Sequence, residues 1–260
     1  MGTPRENLAS KLREARIAAG CGSQGALAKR LTVSRSLITK AENATQPIPS
    51  PELVSAWAGV TGAPLDELLE LVKRCRSGTP EWFMPYQIAE ARATLLRYWS
   101  PMVVPGLLQT ESYMRGLFEG EGNQLDQIDG LVSARMERQA IIGRVHVTAI
   151  ISQQVLQRLV GSASVMAEQC AHLVNLAERS VALHVVPEGT NMGLWGAFDI
   201  AARDSVITVC LETVEDVTST APHLAGKVTE AYERLLGAAL PRAESLKLIR
   251  TAEEEWKTRI

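Results

Sequence analysis

Apolar positions repeat at helical spacing through the first 76 residues. Leu8, Leu12, Ala15 and Ala19 fall on one face over residues 6–19, and Gly20 ends that run. Leu27, Leu31, Val33, Ile38 and Ala41 form a second set over Gln24–Asn43, which reads as helix, short turn, helix. Ala28 is small enough to let the two helices approach closely. Ser34 suits the N-cap of the second, because its hydroxyl can accept an orphan backbone N–H. TQPIPSP interrupts with three prolines, after which Pro51 fits the first turn of a helix over 51–60, capped by Ser50. A turn at VTGAP leads to a fifth helix over 65–75, with Leu65, Leu68, Leu69 and Val72 directed inward. The expectation is an all-helical domain over 1–76 and a linker at 77–80.

Beyond the linker the pattern becomes mixed. Glu81 to Tyr98 reads as helical with an interruption near Pro85, and Trp82, Phe83, Tyr86, Tyr98 and Trp99 concentrate aromatic mass there. Core packing or an interface is the plain reading of those rings, and a ligand cage is the sharper one. SPMVVPG holds a bend, and Thr110 can cap a helix over 111–119. A further helix is expected over 125–142. VHVTAIIS at 145–152 and VALHVVP at 181–187 are β-branched and apolar, as buried strands are. Helices over 153–160 and 164–179 lie between them. GLWGAFDIAAR and SVITVCLE read as a hairpin turning at Asp204, and two helices over 221–239 and 242–257 close the chain. The fold class is therefore mainly α with a smaller β component. A five-helix domain precedes an α+β domain over 81–260, with a sheet of about four strands and at least one parallel pair.

The outward face of the helix after Ser34 carries Arg35, Ser36, Thr39 and Lys40, which suits the major groove of DNA and its base edges. With its small residue, turn and cap, QGALAKRLTVSRSLITKAEN resembles the helix-turn-helix of the Xre/Cro class of bacterial and phage repressors, over roughly residues 6–76. The resemblance implies phosphate contacts from Ser23 and Gln24, base contacts from Arg35, Ser36 and Lys40 with Thr39 close by, and a backbone contact from Asn43. It also implies a buried salt bridge between Arg16 and Glu42. Thr32 and Ala44 depart from the pattern by standing where Gly is frequent, and a non-Gly residue in a left-handed conformation costs energy.

The second domain carries VPGLLQTESYMRGL, RMERQAII, SQQVLQRLVGSASVMAEQ, and GLWGAFDI followed by VITVCLET. These segments resemble the C-terminal domain of the WhiJ-like regulators of actinobacteria. In those regulators the domain has no assigned catalysis. The likeness implies a link to development and a small protein partner encoded by a neighbouring gene. Arg138 and Gln139, inside RMERQAII, are the first candidates for a buried structural or ligand-holding role. Trp195, with Gly193 and Phe198, would close a pocket beside the sheet; core packing is the plainer alternative. Glu111, Arg135, Arg138 and Glu212 would make a polar pocket if paired in space, and surface salt bridges otherwise.

Composition is that of an ordinary globular protein, with 46% hydrophobic and 22% charged residues. The net charge of −2 hides a split. Residues 1–50 hold eight basic and three acidic side chains, net +5, and residues 77–260 hold sixteen and twenty-two, net −6. The polyanion-binding surface is therefore expected on the head. No run approaches 18 apolar residues, so no membrane partner is expected, and MGTPRENLAS lacks a basic-then-apolar leader, which points to the cytoplasm, at the nucleoid when DNA-bound. Cys21, Cys75, Cys170 and Cys210 form no CxxC, and no HExxH is present, so no metal is expected. Without a GxSxG elbow or a P-loop, the chain is read as no enzyme, with no cofactor. The function expected is a sequence-specific transcriptional regulator, a repressor on a double-stranded DNA operator. One recognition helix reads half a site, so a homodimer is expected. The second domain would sense a small protein or ligand. The alternative is an antitoxin-like protein that sequesters a small partner and autoregulates its operon.

Overall fold

A computed structural model describes residues 4–45, 48–77, 83–190, 196–212 and 217–260. The chain divides into two units, Met1–Glu81 and Trp82–Ile260. In the first, α1 (Pro4–Ala18), α2 (Gln24–Leu31), α3 (Arg35–Glu42), α4 (Pro51–Thr61) and α5 (Leu65–Ser77) enclose Leu8, Leu12, Leu27, Ile38, Val54, Trp57, Leu68 and Val72. Local signals explain the boundaries. Ser23, Ser34 and Ser50 each accept a backbone N–H as N-caps, Pro51 sits in the first turn of α4, and Gly62 ends α4 in the left-handed conformation. Leu65, expected inward, is exposed. It is the first residue of α5 and lies ahead of the stripe made by Leu68 and Val72.

The second unit contains α6 (Met84–Arg92), β1 (Leu95–Ser100), a 3-10 turn at Gly106–Leu108, α7 (Glu111–Gly120), α8 (Leu125–Gln139), β2 (His146–Ser152), α9 (Gln153–Gln157), α10 (Ala163–Arg179), β3 (Val181–Val186), β4 (Phe198–Arg203), β5 (Val206–Leu211), β6 (Val217–Ser219), α11 (Pro222–Ala238) and α12 (Arg242–Lys257). Among the described residues the sheet has six strands in the order β3-β2-β1-β4-β5-β6, where about four were expected. The expected helix through Tyr98 is also corrected. It ends at Arg92, and Leu95–Ser100 forms a central strand, parallel to β2 and antiparallel to β4. β1 to β2 and β2 to β3 are parallel pairs, and helices α7–α8 and α9–α10 provide the long crossovers such pairs require.

Both sheet faces are covered. Leu96, Tyr98, Val147, Ala149, Leu183 and Ala201 pack with Leu173 of α10 and Ile249 and Trp256 of α12. Trp99, Ile150, Phe198, Ile200 and Val209 pack with Val228, Tyr232 and Leu235 of α11. The β3 edge is closed as well: Val185 N–H donates to Ser245 Oγ, and its carbonyl accepts from Leu240 N–H. No helix among the described residues is long and apolar enough to cross a membrane.

Candidate nucleic-acid interface

The geometry of α2 and α3 follows from a few side chains. Leu27 and Ala28 of α2 and Ile38 and Ala41 of α3 are buried together, which fixes the inner faces of the pair. The tight turn between them places Thr32 at φ 56°, its N–H bonded to the Lys29 carbonyl, while Val33 N–H reaches the Ala28 carbonyl. Ala44, after α3, also has φ 56°. The two residues where Gly is frequent therefore take the left-handed conformation without the glycine that would make it cheap.

The opposite side of α3 is open. Ser34 caps it by accepting Leu37 N–H at 3.2 Å, and Arg35, Ser36 and Lys40 are exposed. Thr39 is half-buried, with its hydroxyl 2.8 Å from Gln24 Oε1 and 3.0 Å from the Arg35 carbonyl. Gln24 is occupied at both ends, since its Nε2 also donates to Glu42 Oε2 at 3.0 Å. Glu42 in turn receives Arg16 Nε at 2.6 Å and Nη2 at 2.9 Å, and Arg16 Nη1 donates to the Cys21 carbonyl. This pair is buried, and the Glu42 hydrogen bond raises the Arg16 pKa above its ordinary value. The chain Arg16–Glu42–Gln24–Thr39 thus ties α1 and α2 to α3. The engagement of Thr39 and Gln24 was not legible in the sequence, because it depends on which way two half-buried polar side chains turn. Ser23 is exposed and accepts Ala26 N–H as a cap, and Asn43 is exposed at the end of α3. Gly20, Gly22 and Gly25 do stand at G-x-G-x-x-G spacing. They join two helices rather than a strand and a helix, so the phosphate-cradling context is missing.

In the second unit the structure removes Glu111 from the expected polar cluster, while Arg135 stays within electrostatic reach of Arg138 and Glu212. Glu111 pairs with Arg115 on the exposed side of α7. Arg138 forms a two-point ion pair with Glu90 at 2.8 and 2.9 Å and lies over the Phe83 ring. Burial opposes the Arg138 charge, but the Glu90 carboxylate outweighs it, and the pKa is raised. Gln139 Nε2 donates to the Gln109 carbonyl at 2.7 Å, and Arg135 donates to Gln109 Oε1 over the Phe118 ring. Burial, with Arg138 alongside, pulls Arg135 down to about 10. Arg138 and Gln139 are therefore both engaged by the protein itself. Trp195 and Gly193 lie outside the described residues. Asp199 of β4 was not singled out from the sequence, although an acid inside the apolar run AFDIAA is a signal that could have found it. Among the described residues no group of three or more His, Cys, Asp or Glu is placed to hold a metal.

Two capped helices meeting at a tight turn, with one polar face open, define a helix-turn-helix protein, here joined to an α+β body. A profile described as Helix-turn-helix domain matches residues 7–71, which supports a DNA-binding regulator. A profile described as Domain of unknown function (DUF5753) matches residues 83–251, and the chain belongs to that family. No curated protein and no solved structure matches it.

Proposed function

We propose that the protein is a sequence-specific transcriptional repressor of the Xre/Cro class, its α3 face laid in the major groove of an operator. The carrying observation is the two-sidedness of α3: Ile38 and Ala41 are buried, while Arg35, Ser36 and Lys40 stand exposed on the other side. Those three meet base edges, with Thr39 held close by Gln24. Ser23 and Asn43 meet phosphates, and Gln24 offers its main-chain N–H at the start of α2. A homodimer supplies two heads for two half-sites about 34 Å apart or a multiple of that. The WhiJ-like body senses a small protein from a neighbouring gene, or a ligand, in the cytoplasm. Release requires that this partner prefer the conformation unable to dock.

Fluorescence anisotropy with the upstream DNA and a scrambled duplex, at several salt concentrations, tests this. Arg35→Ala is expected to cost about 1–3 kcal/mol of preference for the operator, while Asn43→Ala weakens both duplexes alike. Equal loss on both duplexes from Arg35→Ala would remove base reading from that residue.

A further inference from the structure

One residue beside the open side of α3 has its hydrogen bonding already used within the protein. Thr39 stands next to Arg35 and Ser36, one turn before it, and Asn43, one turn after, and all three are exposed. Thr39 itself is half-buried, with its hydroxyl 2.8 Å from Gln24 Oε1 and 3.0 Å from the Arg35 carbonyl. Both of those oxygens only accept, so the single hydroxyl proton is directed to them. The direction is not free to reverse. Arg16 holds Glu42 at two points, and the Glu42 carboxylate only accepts. Gln24 must therefore turn its amide nitrogen to Glu42 and its amide oxygen to Thr39. A buried ion pair thus fixes, through one amide, which way a half-buried threonine points.

Threonine carries two groups on its β-carbon, a hydroxyl and a methyl. With the hydroxyl turned to α2 and to the backbone of α3, the methyl is the group left for the outward side. A methyl makes no hydrogen bond, so it cannot read the donors and acceptors that suit Arg35, Ser36 and Lys40. Among the base edges of the major groove the apolar feature is the 5-methyl group of thymine, and a threonine methyl is complementary to it. The polar alternative fails on the same geometry, since a hydroxyl that donates to Gln24 has no proton left for an acceptor on a guanine or adenine edge.

We infer that Thr39 determines specificity through van der Waals contact between its methyl and the 5-methyl group of a thymine in each half-site, with Gln24 and Glu42 as the positioning residues that hold it there. This contact deepens the base-reading role proposed above and rests on it. The side chain of Gln24 serves Thr39, while its main-chain N–H at the start of α2 is left to the phosphate, so the two roles do not compete.

The test uses the full chain. A duplex is selected from a randomised pool with the wild type, and each of its thymines in turn is replaced by deoxyuridine, which differs only by the lost methyl. Anisotropy competition then gives, for each protein, the ratio of affinities for the thymine and deoxyuridine duplexes. At one position per half-site the wild type is expected to bind about fourfold more weakly to deoxyuridine, the effect of one methyl removed from apolar contact. Thr39→Ser keeps the hydroxyl bond to Gln24 and drops the methyl, so its ratio at that position is expected to fall to about one. Thr39→Val keeps a methyl and drops the hydroxyl. It is expected to bind more weakly overall and to retain the ratio. A wild type insensitive to every replacement, a Thr39→Ser variant with the wild-type ratio, or a Thr39→Val variant without it overturns the thymine contact and leaves base reading by Arg35 standing. A pool that enriches no sequence removes base reading itself, and the contact with it.

Discussion

Thr32 shows how much a single backbone angle can cost. A β-branched residue at φ 56° brings Cβ against the following carbonyl, a penalty of about 1–2 kcal/mol that glycine does not incur. Thr32→Gly is therefore expected to stabilise the first unit by about 1 kcal/mol after the extra freedom of the unfolded glycine is set against the gain, as measured by urea denaturation. A loss of stability would mean that the Thr32 side chain makes a compensating contact. Asp199 gives a prediction of opposite character, in which pH does the work. Its folded pKa lies above the unfolded value of about 3.9. Below that pH both states hold the proton. As pH rises the unfolded chain releases it first, so the protein loses up to about 1.4 kcal/mol per pH unit from this group until the folded pKa is passed. Asp199→Asn removes that slope, and its stability relative to the wild type should grow with pH above about 4. Parallel pH–stability curves for the two proteins would show that Asp199 is ionised in the folded state. In the sequence Asp199 stands out only as an acid inside the apolar run AFDIAA. It is half-buried on the sheet face that α6 packs against, and α6 lies more than 100 residues earlier in the chain.

The helices of the first unit were legible because periodicity, caps and prolines agree within each segment. Ser23, Ser34 and Ser50 each begin a helix that the apolar spacing also marks. Strand β1 was not legible. LLRYWS continues the helical spacing of α6 with no Gly or Pro between them, and the strand is covered on both faces, so it shows no alternation. Only its ladders to β2 and β4 make it a strand, and those partners come from residues 146–151 and 198–202. β6 escaped because three residues at a sheet edge carry too short a pattern. Among elements, α6 is tied to α8 through the ion pair of Glu90 and Arg138. Glu90 is only 2% exposed, so Arg138→Met strands its carboxylate and is expected to cost about 3–5 kcal/mol in chemical denaturation. Replacing Glu90 by Leu as well should recover much of that loss, because two apolar side chains need no partner. A double variant as unstable as the single one would place the cost in packing around Phe83 and Tyr98 instead.

At the scale of the whole chain, charge and core divide in the same place. The apolar cluster of the first unit draws on Leu8 to Cys75, and those of the second on Tyr86 to Trp256. Each unit therefore holds a core of its own, and a fragment of residues 1–81 is expected to fold alone. Residues 1–50 carry net +5 and residues 77–260 net −6, so the head supplies the attraction to phosphate and the body opposes it. If the body also pairs the heads, removing it acts on two quantities in opposite directions. Affinity for arbitrary DNA should rise at low salt, because the acidic partner is gone. Preference for a duplex with two half-sites over one with a single half-site should fall to the statistical factor of about two, because the second head is no longer tethered. In the full chain that preference should reach about a hundredfold or more. Anisotropy titrations of both proteins on both duplexes separate the two effects. A fragment that kept the full preference would place dimerisation in the head, and one that bound arbitrary DNA no better would show that the acidic body stays beyond screening distance of the duplex.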